Sequence, residues 1–251
     1  MTGMPAHDAV GPDPGWRTLY RAGAWSALVY VVLVLVPVML VFTAPVPPSS
    51  GAALLEYITA HRLVYVAELV CFVGLAVPAL VVFSALGMAL AHRDRSVALV
   101  GALLGVVSET IALALGSSPQ SLHGGLVVLA TSYRSAAPDE RAGLVGAADA
   151  LIAATNAVSW AGILTAAAIL VLSGLMTRVP FRRWVGVLGM VVGPLGILAE
   201  AVRPVIGSAY ALYGLLLPLW FALVGWDLRR IARAAAQAPG APAGTTAAVA
   251  T

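Results

Sequence analysis

The nineteen residues Val97–Leu115, VALVGALLGVVSETIALAL, decide the fold class. They carry one ionisable side chain, Glu109, among small and aliphatic neighbours. Wound as a helix at 1.5 Å per residue, such a run crosses the roughly 30 Å hydrocarbon core of a bilayer. Comparable runs recur over Ala22–Thr43, Leu63–Leu90, Ala147–Leu175, Val185–Val202 and Ser208–Leu228. Composition agrees: 61% of the 251 residues are hydrophobic and 10% charged, where a soluble domain carries about 25% charged residues. The chain therefore reads as all-α, a polytopic transmembrane bundle of six helices. One domain, 16–233, lies between tails 1–15 and 234–251, which are too rich in Pro, Gly and Ala to be expected to fold. The first run is longer than the apolar region of a signal peptide and no basic residue precedes Arg17, so it is read as a retained helix. Pro37, Pro78, Pro194 and Pro218 fall inside runs, which neighbouring helices can accommodate, with a bend expected at Pro78.

Charge sets the orientation. All 14 basic residues are arginine, which rules out a chromophore held as a lysine Schiff base. Six spans put both termini on one side, together with Arg17, Arg21, Arg93, Arg95, Arg178, Arg182, Arg183, Arg229, Arg230 and Arg233. Arg62, Arg134, Arg141 and Arg203 fall on the other. That asymmetry places both termini in the cytoplasm and the chain in the plasma membrane, with Trp16, Trp184 and Trp226 in an interfacial belt. Two longer segments face outward. One should hold a short amphipathic helix over Leu54–Ala60; the other contains SLHGGLVVLATSY, 121–133, either re-entrant or lying on the surface.

Against this background the acids stand out. Glu68, Glu109, Asp149 and Glu200 lie on four successive spans, each within about two turns of the outward ends. Gly101, Gly105 and Glu109 share one stripe; Gly189, Gly193, Gly196 and Glu200 share another. Small residues at such spacing let helices approach closely, so both stripes aim their glutamates into the bundle. Glu200 can pair with Arg203 at i, i+3, and Asp149, Asn156, Ser159 and Trp160 form a further stripe. A charged acid at mid-membrane costs about 2.5–3.5 kcal/mol, so such acids need a partner or a wet cavity. Arg62 and Arg203 cannot serve all four, so some acids should hold protons. The ligand-pocket candidates are Glu68, Glu109, Asp149, Asn156, Trp160, Glu200, Arg203 and Tyr210. The plainer readings are a headgroup-level Asp149, a structural Glu200–Arg203 pair, and Asn156 and Ser159 as interhelical glue.

Several chemistries are missing from the sequence. His7, His61, His92 and His123 do not cluster at metal-ligand spacing, and Cys71 has no second cysteine to bond. Phosphate-loop, dinucleotide, HExxH, GxSxG and CxxC signatures are absent, and no cofactor or nucleic-acid partner is expected. Three functions remain. The outward pocket binds or passes a small lipophilic or cationic molecule, membrane lipid being the surroundings; as a transporter, so few spans would call for a homodimer. Alternatively, Glu68 or Glu109 is the general acid of an intramembrane cyclase or isomerase on a prenyl-like substrate, with Tyr65, Trp160, Tyr210 and Trp220 lining its pocket. In the third reading the chain is a scaffold or accessory subunit, and the polar residues are glue.

At AHRLVYVAELVCFVGLAVPALVVFSALGMAL (60–90), WVGVLGMVVGPLGILAEAVRP (184–204) and YGLLLPLWFALVG (213–225) the chain resembles the bacterial membrane proteins grouped as domain of unknown function 4386. The likeness spans Arg17 to Arg233. It rests on the six-span layout, the basic turn before an aromatic-Gly-Leu-Gly helix and the Pro-Leu-Trp final helix. It implies a multi-pass membrane fold and brings no catalytic residue with it.

Overall fold

The computed structural model describes residues 11–116, 121–178, 180–206 and 209–237, all helix and connection with no strand. Most of both expected disordered tails (1–10 and 238–251) and the Ser208 start of the sixth run lie outside the described residues. Six helical stretches are long and apolar enough to cross a membrane. They are α1 (Arg17–Leu40), the pair α3 (Arg62–Gly74) and α4 (Ala76–Leu90), α5 (Arg95–Leu115), the pair α7 (Pro138–Val158) and α8 (Gly162–Leu175), α9 (Arg183–Ala201) and α11 (Tyr210–Gln237). Three shorter helices connect them: α2 (Gly51–Ala60), α6 (Gly125–Ser135) and α10 (Arg203–Ile206). The architecture is that of a multi-pass membrane protein.

Helix ends follow their local chemistry. Asp94 caps α5 by accepting from the Val97 N–H at 3.0 Å. Pro78 has no N–H for the Gly74 carbonyl and its ring crowds that group, so the second span is interrupted at Leu75. The fourth span starts at Pro138, nine residues before the expected Ala147. Its start combines a proline at the first helical position with Asp139 and Glu140 in the first turn, and Glu140 reaches back to the Ala137 N–H at 3.3 Å. The last helix runs to Gln237 instead of ending at Leu228, because Ile231, Ala232 and Ala235 continue its buried face.

The fourth rod contains 38 residues. At 1.5 Å each it is about 57 Å long, nearly twice the hydrocarbon thickness. Its polar first half packs with α2 and α6 around Leu54, Leu55, Ile58, Leu126, Ala130 and Ile152, a core separate from that of the bundle. The segment 121–133 is thus part of a three-helix cap at the end of the bundle away from the termini. It is helical from Gly125 and buries Leu126 and Ala130.

Inside the bundle, α9 lies on α8, α5 lies between α4 and α8, and α1 packs on α4 and α11. Both glycine stripes are contact faces. A Cβ on Gly105 would overlap the Phe83 ring; one on Gly193 would sit 3.0 Å from the Leu170 backbone, and one on Gly196 2.6 Å from the Tyr213 ring. With Gly101 against Leu172, these close approaches set α5 on α4 and α8, and α9 on α8 and α11.

Candidate functional site

Glu109 on α5 and Glu200 on α9 line one cavity of about 210 Å³ at the cap end of the bundle. They are 7% and 5% exposed. All six spans contribute to the wall, and four aromatic residues line it, Tyr30, Phe72, Tyr210 and Tyr213. The two acids have different surroundings.

Glu200 is answered on both oxygens. Tyr210 Oη donates to its Oε1 at 2.6 Å, and Arg203 Nη1 stands 3.5 Å from its Oε2. The same guanidinium lies over the Tyr210 ring, 4.8 Å from the centroid. Gly162, the first residue of α8, leaves room for the carboxylate; a Cβ there would come 2.7 Å from Glu200 Cδ.

Glu109 has no guanidinium in ion-pair range among the described residues. Its neighbours are hydroxyls arranged in series. Ser108 Oγ is 2.6 Å from the Ala161 carbonyl and 2.7 Å from Thr165 Oγ1, and Thr165 Oγ1 is 2.9 Å from Glu109 Oε1. The carbonyl belongs to the one-turn 3₁₀ break Ser159–Ala161 between α7 and α8. A carbonyl only accepts, so Ser108 gives its single proton to Ala161. Thr165 must then fill the contact to Ser108, which leaves its contact to Glu109 without a hydroxyl proton. If Thr165 donates to Glu109 instead, the Ser108–Thr165 contact is left unfilled. Two hydroxyl protons thus serve three contacts, and a proton on Glu109 would supply the third.

The other candidates lie elsewhere. Glu68 is buried on α3, 3% exposed, but does not line the cavity. It faces the cap: burial first, and then the charge of Glu68, raise the pKa of the Tyr57 phenol on α2. Glu68 Oε2, Tyr57 Oη and Tyr65 Oη are buried with no hydrogen-bond partner among the described residues. Asp149 is exposed, and its Oδ1 accepts from the Gly51 N–H at 2.6 Å, capping α2 from the neighbouring rod. The early start of α7 puts Asp149 three turns into that helix instead of in its first turn, and this removes it from the pocket. Asn156 is exposed off the cavity, Trp160 is 60% exposed, and the Ser159 side chain lies outside the described residues. Of the aromatics expected around an enzymatic pocket only Tyr210 lines it. Tyr65 belongs to the cap core, and Trp220 packs against Gly189 with its Nε1 unpartnered among the described residues.

Ser108, Thr165, Tyr30 and Tyr213 were not singled out in the sequence. Two of them carry a readable signal. Ser108 adjoins Glu109, and Thr165 is the lone polar residue between Gly162 and Val171. Asp227 was also passed over: fully buried at the termini end, it accepts from the Arg182 N–H at 3.0 Å and pairs with Arg230 at 3.0 Å. Among the described residues no group of three or more His, Cys, Asp or Glu could hold a metal ion.

Fold and site together define a class: a six-span helical membrane protein with a small aromatic cavity holding one paired and one unpaired carboxyl. No family model, curated protein or solved structure matches the chain.

Proposed function

We propose that the cavity binds a small lipophilic cation, with Glu109 as the group that meets its charge. The observation that carries this reading is the asymmetry of the two acids that line the cavity. Glu200 already has Arg203 and Tyr210, while Glu109 has hydroxyls alone and shares the cavity with Tyr30, Phe72 and Tyr213 as well. Aromatic faces attract cations by about 0.5–2 kcal/mol each, and more so when dry. An entering cation takes the place of the Glu109 proton, so charge in the cavity stays balanced. The arginine asymmetry supports both termini in the cytoplasm of a plasma-membrane protein, the cavity then lying in the outer half of the bilayer. The likeness to domain of unknown function 4386 fits this topology and adds no residue roles. Passing the cation across, as opposed to holding it, calls for a second copy beside the six spans.

Calorimetric titration of the protein in nanodiscs tests the reading, with benzyltrimethylammonium and its uncharged isostere neopentylbenzene as probes. The cation should bind, and Glu109→Gln should weaken it about tenfold or more, which is about 1.4 kcal/mol, without changing the response to the isostere. Equal cation affinity in both proteins overturns the reading. A second reading rests on the same proton: an acid facing a dry aromatic cavity can protonate a prenyl-like olefin. Turnover of such a substrate that is lost in Glu109→Gln would favour that enzyme. If neither probe nor substrate binds, the remaining role is scaffold or accessory subunit.

A further inference from the structure

At the end of the bundle that holds the termini, α1 and α11 enclose a groove of about 460 Å³. Four guanidiniums line its mouth, from Arg17, Arg21, Arg229 and Arg233. Trp25 and Trp226 come next, 59% and 61% exposed, and the floor beyond them is aliphatic. Both helices present the same gradient although they run in opposite directions. On α1 the order is arginine, indole, then aliphatic as the number rises; on α11 it is the same as the number falls. No carboxylate lines the groove. Among the described residues none of its four arginines is ion-paired, because Asp227, the buried acid nearby, faces away and holds Arg182 and Arg230. The one described partner of the set is a ring, with Arg229 over Trp25 at 5.9 Å.

We infer that this groove is a binding site for an anionic two-chain phospholipid. The phosphate sits among the four arginines, the glycerol region lies at the two indoles, and one acyl chain follows the aliphatic floor between α1 and α11. Guanidinium matches phosphate through paired N–H donors. Basic pockets between membrane helices beside an interfacial aromatic belt are where anionic headgroups are held. An unoccupied groove would leave four like charges beside apolar surface with no ion-pair partner among the described residues.

Spin-labelled phosphatidylglycerol and spin-labelled phosphatidylcholine, each added to the full protein in nanodiscs, give the test. Phosphatidylglycerol should show the larger immobilised fraction. Its preference should fall about fivefold for each of Arg21→Gln and Arg229→Gln. Arg95→Gln, at the same end of the bundle but outside the groove, should leave the preference intact, as should millimolar inorganic phosphate. Circular dichroism and benzyltrimethylammonium affinity report whether each variant is still folded. Equal immobilisation of the two lipids, an equal loss in Arg95→Gln, or displacement by free phosphate overturns the inference.

Discussion

Gly162→Ala probes the site with little cost to the fold. The added Cβ would sit 2.7 Å from Glu200 Cδ and 2.8 Å from its Oε1. Ordinary carbon contacts are near 3.5 Å, so the carboxylate must retreat by about 0.8 Å. It is the end of a flexible side chain and can move. In moving it gives up the 2.6 Å hydrogen bond from Tyr210. Hydrogen bonds between membrane helices are worth about 0.6 kcal/mol on average and up to about 1.7; this short bond to a charged acceptor belongs near the upper figure. Alanine also improves helix propensity by up to about 1 kcal/mol, less at a first-turn position. The net effect of the single variant should therefore be small, which makes it uninformative alone. A double-mutant cycle with Tyr210→Phe separates the two terms. With the phenol already gone, Gly162→Ala should be neutral or slightly stabilising, so the coupling between the substitutions should be about 1–1.7 kcal/mol. Reversible unfolding in mixed micelles with rising denaturing detergent reads it. Additivity within about 0.5 kcal/mol would refute the geometry at Glu200.

Packing and charge elsewhere yield further tests by the same assay. Gly193→Ala must push α9 off the Leu170 backbone and should cost about 1–3 kcal/mol, while Gly174→Ala, with open space around it, should be neutral or mildly stabilising. Asp227→Asn weakens the hold on the Arg182 N–H and Arg230, and because both arginines are substantially exposed the loss should be about 1–3 kcal/mol; no measurable change would remove it from the structural account. His92, in the turn between α4 and α5, has its pKa lowered by burial first, with Arg93 adding to this, while its Nδ1–H donated to the Ala89 carbonyl works the other way. The unfolded chain then binds the proton more readily, so the stability His92 contributes is complete above the ordinary imidazole value near 6.5 and is lost as pH falls from there toward its folded-state value. Melting curves between about pH 7.5 and 5 should be flatter for His92→Gln; identical slopes would contradict this.

The spans were readable because the membrane imposes length and apolarity on each one separately, and Pro78 marked its own interruption. The cap was harder to see. Its helices bury apolar faces against one another, so the register of 121–133 depends on partners far away in the chain. The start of α7 was nonetheless written in Pro138, Asp139 and Glu140, and missing it misplaced Asp149. Spacing aimed Glu109 and Glu200 inward because glycine stripes report close contact. It also offered Arg203 to Glu200, three residues away, as found, but it could not show that Glu109 meets hydroxyls: Ser108 and Thr165 come together across 57 residues, through helix pairing that no local pattern encodes. Asp227 has a local partner in Arg230, three residues on, but its bond to the Arg182 N–H, 45 residues away, could not be read from spacing.

In the proposed function, Glu109 gives up a proton when a cation enters beside it. Titrating benzyltrimethylammonium into the protein in buffers of contrasting ionisation enthalpy counts the protons exchanged. Close to one proton should be released per cation bound by the wild-type protein, and none by Glu109→Gln. Heats that do not depend on the buffer in the wild-type protein would contradict the account, even if the cation binds.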